Sequence, residues 1–298
     1  MKHEPVLLQQ VISNLQLKPG MNVVDCTLGD GGHARAILEK LGKKGKLLGI
    51  DADVEAVLRA KRFLYEFEDR FIAVRDNFVN LKKIVHGQDF GQVNAILMDL
   101  GWSSQQFSER DRGFSFQNQD EVLDMRYDVN SEKTAQSVLN NYSNEDLSNV
   151  LRRYGEEKFY QDIADNIVIH RKKQTIEKVG QLVEIILQVY REKLNTDKDI
   201  PYLGHIHPAT KVFQALRIEV NDELEALRQA LPQALDILAP EGRLAVISFH
   251  SLEDRIVKRF FQKQKDAKII TKKPITASFQ EVKKNPRSRS AKLRILQV

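Results

Sequence analysis

Val23-Val24-Asp25-Cys26-Thr27-Leu28-Gly29-Asp30-Gly31-Gly32-His33 decides how this chain folds. An apolar run ends in an acid, a glycine loop follows, and Ala34-Arg35-Ala36-Ile37-Leu38 continues as helix. A second apolar run, Leu47-Leu48-Gly49-Ile50, delivers Asp51 at its end. Strand, glycine turn, helix and strand make the opening βαβ unit of a nucleotide-type fold, with an acid placed to hydrogen-bond ribose hydroxyls. Glycines in such a turn let the backbone approach a ligand, because no side chain intervenes. The unit predicts a ligand that carries an adenosine.

Two adenosine cofactors fit. Gly29-x-Gly31-x-x-Ala34 formally matches the dinucleotide fingerprint, in which a helix N-terminus holds a pyrophosphate. S-adenosylmethionine has no phosphate and presents a sulfonium cation and an ammonium, which favour nearby carboxylates. Asp25, Asp30, Asp51, Asp76 and Asp99 all fall at or just past predicted strand ends. Any one of them alone reads as a helix cap or turn residue. Together they favour the methyl donor over NAD.

The chain has 298 residues and 42% hydrophobic content, enough for a sizeable core in one large domain or one domain with an insertion. It contains no run of about 18 apolar residues, so no membrane span is expected. Met1-Lys2-His3-Glu4-Pro5 lacks a signal peptide's apolar region. The single cysteine, Cys26, excludes intramolecular disulfides and fits a reducing cytoplasm; following a buried strand directly, it reads as core rather than nucleophile. The net charge of +5 is unevenly spread. Residues 255–298 hold 14 Lys/Arg against 2 Asp/Glu, while the rest of the chain carries 32 against 39. Within that basic end, Lys283-Lys284-Asn285-Pro286-Arg287-Ser288-Arg289-Ser290 mixes charge with small polar residues. That mixture favours a phosphate backbone, and so a nucleic-acid substrate, over a merely solvated face.

Further apolar runs bounded by turn residues predict strands at Phe71–Val74, Val93–Met98 and Leu244–Phe249, with two late candidates at Lys268–Thr271 and Lys292–Val298. Alternation with helices implies an α/β fold whose ligands bind at the strands' carboxyl ends. Seven strands, mostly parallel with a C-terminal hairpin, would make the class I (Rossmann-like) methyltransferase sheet. Asp99 to Leu244 is far too long for one crossover. Its middle is charged and helical in pattern, with Ser143-x-x-Asp146 as an N-terminal cap signal. The expected organisation is therefore a cofactor-binding methyltransferase domain of residues 1–106 and 205–298, with residues 107–204 inserted as a helical subdomain for substrate recognition.

The fourth strand ends in Asp99-Leu100-Gly101-Trp102-Ser103-Ser104, the position that faces the transferred methyl group in this fold. Enzymes that methylate exocyclic base amines often carry an Asp/Asn/Ser-Pro-Pro-aromatic turn there. An aryl amine is a poor nucleophile because its lone pair is delocalised into the ring. Acceptors on its protons and an aromatic face for the flipped base compensate. Asp99 and Trp102 match the first and fourth positions, the prolines do not, and Asp99 serves equally as a cofactor ligand. Trp102, Ser103 and Ser104 are the substrate-side candidates, with Lys283, Lys284, Arg287 and Arg289 for phosphates. His250, in Ser248-Phe249-His250-Ser251-Leu252-Glu253, reads equally as a substrate contact or as part of a turn capped by Ser251. His205-x-His207 lacks a third ligand placed by sequence, so no metal is expected.

Taken as a whole, the chain resembles the bacterial ribosomal RNA small-subunit methyltransferases that act on the 4-amino group of a cytidine. The resemblance rests on His3-x-Pro5-Val6-Leu7-Leu8, Gly29-x-Gly31-Gly32-His33, Asp99-Leu100-Gly101-x-Ser103-Ser104, Gly113-Phe114-Ser115-Phe116, Asp124-Met125-Arg126 and Arg153-Tyr154-Gly155-Glu156-Glu157. It continues through His207-Pro208-Ala209-Thr210, Phe213–Ile218, Ser248–Arg255 and Asn285–Ala291. It implies a cofactor site of Gly31, Gly32, His33, Asp51, Phe78, Asp99 and Gln106. Of these, Asp51 for the ribose, the glycines for the methionine tail and Phe78 for the adenine face follow from the residues themselves; His33 and Gln106 come from the resemblance alone. It implies as substrate a cytidine in the decoding, peptidyl-site region of 16S ribosomal RNA within the small subunit, and leaves a homodimer open. Trp102, Gln105 and Lys211 depart from the family's small aliphatic, proline and arginine. Two other readings stay open, a non-catalytic RNA-binding ribosome-assembly factor and an NAD-dependent oxidoreductase.

Overall fold

The computed structural model describes residues 5–101, 111–196 and 207–298. They fall into two compact units, Met1–Trp102 with Leu224–Val298, and Ser103–Glu223. In the first, strands β1 (Asn22–Asp25), β2 (Lys46–Asp51), β3 (Phe71–Arg75), β4 (Val93–Asp99), β5 (Leu238–Ser248), β6 (Lys268–Ile269), β7 (Ile275–Thr276) and β8 (Lys292–Gln297) form one sheet. Their order is β3-β2-β1-β4-β5-β8-β6, with β7 also on β8. β1 to β5 are parallel, and β8 runs antiparallel to β5, β6 and β7. This is the class I methyltransferase sheet, with eight strands among the described residues rather than the expected seven. The extra count arises because the edge opposite β8 is broken into two-residue pieces. Five residues, Ile270 to Pro274, face only Arg294 and Ile295 of β8, so the register slips by three; Thr271 Oγ1 takes the Ile295 amide, and Pro274 has no amide to give a ladder.

Period-two alternation sorts the strands onto two cores. Val23, Leu47, Ala95, Leu97, Ala245 and Ile247 pack with helices Leu8–Leu15 and Gly32–Leu41. Val24, Leu48, Ile50, Ile96, Met98 and Val246 pack with Leu81–Gly87 and with Leu227, Leu231, Val257 and Phe261. Burial on both faces is why each strand reads as an unbroken apolar run. Fully burying one such leucine or isoleucine contributes about 1.5–3 kcal/mol. From β1 the sheet runs one way through β2 and β3 and the other way through β4 and β5. That reversal opens a crevice at the carboxyl ends of β1 and β4.

The second unit is helical: Ala135–Asn141, Asn144–Gly155, Tyr160–Arg171, Val179–Leu194 and Ala209–Asn221. Ser143 caps the second of these by accepting the Asp146 amide at 3.0 Å. Helix Ala209–Asn221 lies in this unit, although the sequence returned the chain to the sheet domain at 205. Its crossing with Asn144–Gly155 is close because Gly155 has no Cβ; one there would stand 2.8 Å from the Lys211 carbonyl. Gln214 Nε2 donates to the Tyr154 carbonyl and Lys211 Nζ to that of Glu156, both at 2.9 Å. Arg217 then forks onto Glu223 at 2.8 and 3.0 Å, and Tyr127 Oη donates to the same carboxylate at 2.8 Å. These bonds keep the chain in the helical unit until Glu223. The stripe Val212, Phe213 and Leu216 looks the same whichever core it enters, so sequence could not place the boundary. Among the described residues no helix is long and apolar enough to cross a membrane.

Candidate active site

The crevice at the ends of β1, β2 and β4 collects carboxylates. Asp25 closes β1 and is 1% exposed. Its Oδ1 accepts the Thr27 amide at 3.1 Å, while its Oδ2 is buried without a hydrogen-bond partner. Burial pushes its carboxyl up to about 6, against the opposing pull of His33 and the Thr27 amide. Thr27 also ties β1 to β4, because its Oγ1 accepts the Asp99 amide at 2.7 Å. Asp99 Oδ1 accepts the Gly101 amide at 3.2 Å, and its Oδ2 stands 3.5 Å from His33 Nε2. His33 is 7% exposed, and neither of its ring nitrogens has a hydrogen-bond partner. Buried polar atoms left unpaired are costly, so a cluster of them in a crevice marks a place for a polar ligand.

Asp51 closes β2. Its Oδ2 accepts the Gly29 amide at 2.8 Å and its Oδ1 the Asp53 amide at 2.9 Å. Burial raises it to about 6 despite those two bonds. A carboxylate offers about four lone-pair positions, so two remain for a pair of ribose hydroxyls. Asp53 in turn caps helix Val54–Phe63 through the Glu55 amide. The Asp76 amide donates to the Asp51 carbonyl at 3.1 Å and leads to the half-buried Phe78 in the turn Phe78–Asn80. An aromatic ring two residues past that bond is of the kind that can meet an adenine face.

The remaining acids do other work. Asp30 pairs with Arg59 at 2.7 Å, and Asp76 Oδ1 is used by the Asn77 amide and the Asn80 side chain. The glycines also have a reason in the chain's own packing. Gly31 starts helix Gly32–Leu41 at φ +83°, a conformation that favours glycine, and a Cβ on Gly32 would lie 2.5 Å from Pro5 Cγ. His250, not Ser251, caps helix Ser251–Lys263: its Nδ1 accepts the Glu253 amide at 3.4 Å, and Glu253 Oε2 accepts the Phe249 and His250 amides. That makes capping the role its geometry supports. Of the phosphate candidates, Lys283, Lys284 and Arg289 are exposed and Arg287 is half-buried. Burial lowers the Arg287 guanidinium somewhat, while Asp30 in the glycine loop raises it. His207 stacks on Phe116 with centroids 4.4 Å apart, and its Nδ1 accepts the Ala209 amide. Trp102, Ser103, Ser104, Gln105, Gln106 and His205 lie outside the described residues.

The whole chain, residues 1–298, matches the MraW methylase family. The chain belongs to that family. Relatives named ribosomal RNA small subunit methyltransferase H include one from Sulfurihydrogenibium sp., 46% identical over 297 residues, and one from Clostridium botulinum, 45% identical over 312. Each alignment covers 99% of this chain and 98% of the relative. A third, from Persephonella marina, is 44% identical over 297 residues, with the same coverage. Asp25 and Thr27 lie in the same crevice, and sequence reasoning did not single them out. Asp25 entered it only as one acid in a row of five, and a threonine in a loop carries no signal of the strand it will tie.

Proposed function

We propose that this chain transfers the methyl group of S-adenosylmethionine to the 4-amino group of a cytidine in the decoding region of 16S ribosomal RNA, in the cytoplasm. The observation that carries this reading is the cluster of Asp25, Asp51 and Asp99 at adjoining strand ends with His33, in which Asp25 Oδ2 and His33 Nδ1 are buried without a hydrogen-bond partner and His33 Nε2 stands 3.5 Å from Asp99. The family, and the name borne by its full-length relatives, support it. The residues suit this cofactor. Asp51 takes the ribose on its spare lone pairs, Phe78 meets the adenine, and the Gly31–Gly32 turn serves the methionine tail, with Gln106 a cofactor-site candidate from the resemblance alone. Asp25 and Asp99 supply negative charge to a ligand that carries a sulfonium and an ammonium, whereas a dinucleotide's pyrophosphate would be repelled there. Bound in this place, the cofactor supplies an electrophilic methyl carbon.

The chain's own work is to present the amine. The cytosine amino nitrogen must lose one proton as it gains the methyl group. Asp99, at the end of β4, is the acceptor placed to draw on that N–H bond, and its 3.5 Å contact with His33 and its bond from Gly101 hold its orientation. Trp102, Ser103 and Ser104 follow it in sequence and are the candidate contacts for an extruded base. Lys283, Lys284, Arg287 and Arg289 neutralise phosphates, and the helical unit recognises the RNA. The test is incubation of the protein with labelled cofactor and small ribosomal subunits lacking the modification, followed by nucleoside analysis. Label in N4-methylcytidine is expected. RNA binding with no transferred label would favour the assembly-factor reading, and calorimetric binding of NAD would favour the oxidoreductase.

A further inference from the structure

A second strongly basic surface lies on the first unit, apart from the Lys283–Arg289 segment. Helix Ser251–Lys263 and the broken β6 edge enclose an open groove of about 450 Å³ lined by Lys258, Phe261, Gln262, Ala267, Ile269, Thr271, Lys272 and Arg294. Its floor is apolar, with Phe261 2% exposed. Lys258 and Lys272 stand exposed on its walls, and Arg259, Lys263, Lys265 and Lys268 continue the same charge around it. Among the described residues none of these six has a carboxylate within ion-pair distance. Arg294 is different, since Asp254 takes its guanidinium at 2.7 and 3.3 Å. Asp266 is the one acid between Arg255 and Lys273. Charges of one sign without ion-pair partners, held on a helix and a sheet edge around a groove, make a positive potential that favours a polyanion.

We propose that this groove is a second contact for the phosphodiester backbone of the RNA substrate, with Lys258 and Lys272 as its phosphate ligands; this rests on the RNA reading given above. The sheet's register gives its place. The end of β5 nearest the crevice pairs Ser248 with Lys292, whereas the groove's lining includes Arg294, opposite Val246, and Ile269, opposite Leu296. These lie two to four residues of β8 beyond Lys292, about 7–13 Å of strand. The groove therefore engages RNA away from the reacting nucleotide, and its lysines contribute affinity and register rather than chemistry. The exposed amide of Gln262 and the hydroxyl-bearing Thr271 border it, but Thr271 Oγ1 already accepts the Ile295 amide at 2.9 Å.

The test compares wild type, K258Q/K272Q and an equal-charge control, K43Q/K44Q, whose lysines are exposed on another part of the unit. Binding to protein-free 16S ribosomal RNA is measured against salt concentration, and affinity for S-adenosylhomocysteine is measured alongside. K258Q/K272Q should flatten the log–log salt slope by about 1.4–1.8, from 0.7–0.9 per lost phosphate contact, while the control leaves it unchanged. Cofactor affinity and melting temperature should stay at wild-type values, since both groove lysines are exposed. An unaltered slope in K258Q/K272Q, with wild type binding RNA normally, overturns the groove and leaves the RNA reading standing. An equal loss in K43Q/K44Q also overturns it, because the effect would then be one of net charge. Failure of wild type to bind RNA at all overturns both.

Discussion

Asp51→Asn tests the cofactor assignment at its most exacting point. The carboxylate now accepts the Gly29 and Asp53 amides at 2.8 and 2.9 Å, with two lone-pair positions to spare. Asparagine keeps the shape but turns one acceptor into a donor and removes the charge. One charge-assisted bond to a ribose hydroxyl, about 1.5–3 kcal/mol, is lost. At 1.4 kcal/mol per factor of ten, the Kd for S-adenosylhomocysteine should rise by about ten- to a hundred-and-fifty-fold. Stability should move the other way or hardly at all. Burial raises the folded-state carboxyl from 3.8 to about 6, so the native chain holds this proton more tightly than the unfolded one. The cost of keeping Asp51 ionised is absent below pH 4, grows through the interval to pH 6, and is full above it at about 3 kcal/mol. Asparagine removes that cost at pH 8 and loses in exchange one backbone hydrogen bond, about 1 kcal/mol. Calorimetric titration at pH 8, with a thermal melt on the same sample, reads both. A folded variant with wild-type affinity would falsify the ribose assignment.

Three further outcomes follow from the same geometry. Asp25 is raised to about 6 by burial, so affinity for the cationic cofactor should fall as pH drops below 6, and Asp25→Asn should make the pH 5–8 profile shallower; superimposable profiles would remove Asp25 from the site. Neutralising Lys283, Lys284, Arg287 and Arg289 together should lower the salt slope of RNA binding by about 3, and no change would make that segment a solvated face. Gly32→Ala should destabilise the fold by about 1–3 kcal/mol through its 2.5 Å approach to Pro5 Cγ, with much of the loss recovered in Pro5→Ala/Gly32→Ala; equal melting temperatures for Gly32→Ala and wild type would refute the packing role.

The positions of β1 to β4 and the two acids that close β2 and β4 were legible because parallel strands buried on both faces are continuous apolar runs with a polar stop. The glycine loop was legible as a turn but not in its reasons: Pro5 and Leu64, the neighbours a Cβ would meet at Gly32 and Gly31, are remote in sequence. His33 was hidden for a related cause. One histidine at the start of a helix reads as a surface or core residue until Asp25 and Asp99 are brought beside it from two other strands. Ser251 looked the better cap on intrinsic preference, yet His250 takes the position because Glu253 reaches back to accept its amide and that of Phe249. The edge strand split where Ile270 to Pro274 loop out of register with β8, and the unit boundary moved to Glu223 because an amphipathic stripe does not name its partner.

The pairing of β4 with β5 has a consequence for how the chain is made. β4 ends at Asp99 and β5 begins at Leu238, yet the two lie side by side in the middle of the sheet. At synthesis rates of about 5–20 residues per second, the flank of β4 that β5 will cover waits roughly 7–28 seconds for its partner. Ala95-Ile96-Leu97-Met98 is during that interval an apolar strand with an open edge, the kind of surface that joins neighbouring nascent chains. β8, which seals β5 on its other side, is made later still, since it begins at Lys292. The inserted helical unit, Ser103–Glu223, consists of residues translated in that gap and is free to fold during the delay. A newborn chain of this protein thus depends on shielding of β4 for longer than its compact final sheet would suggest.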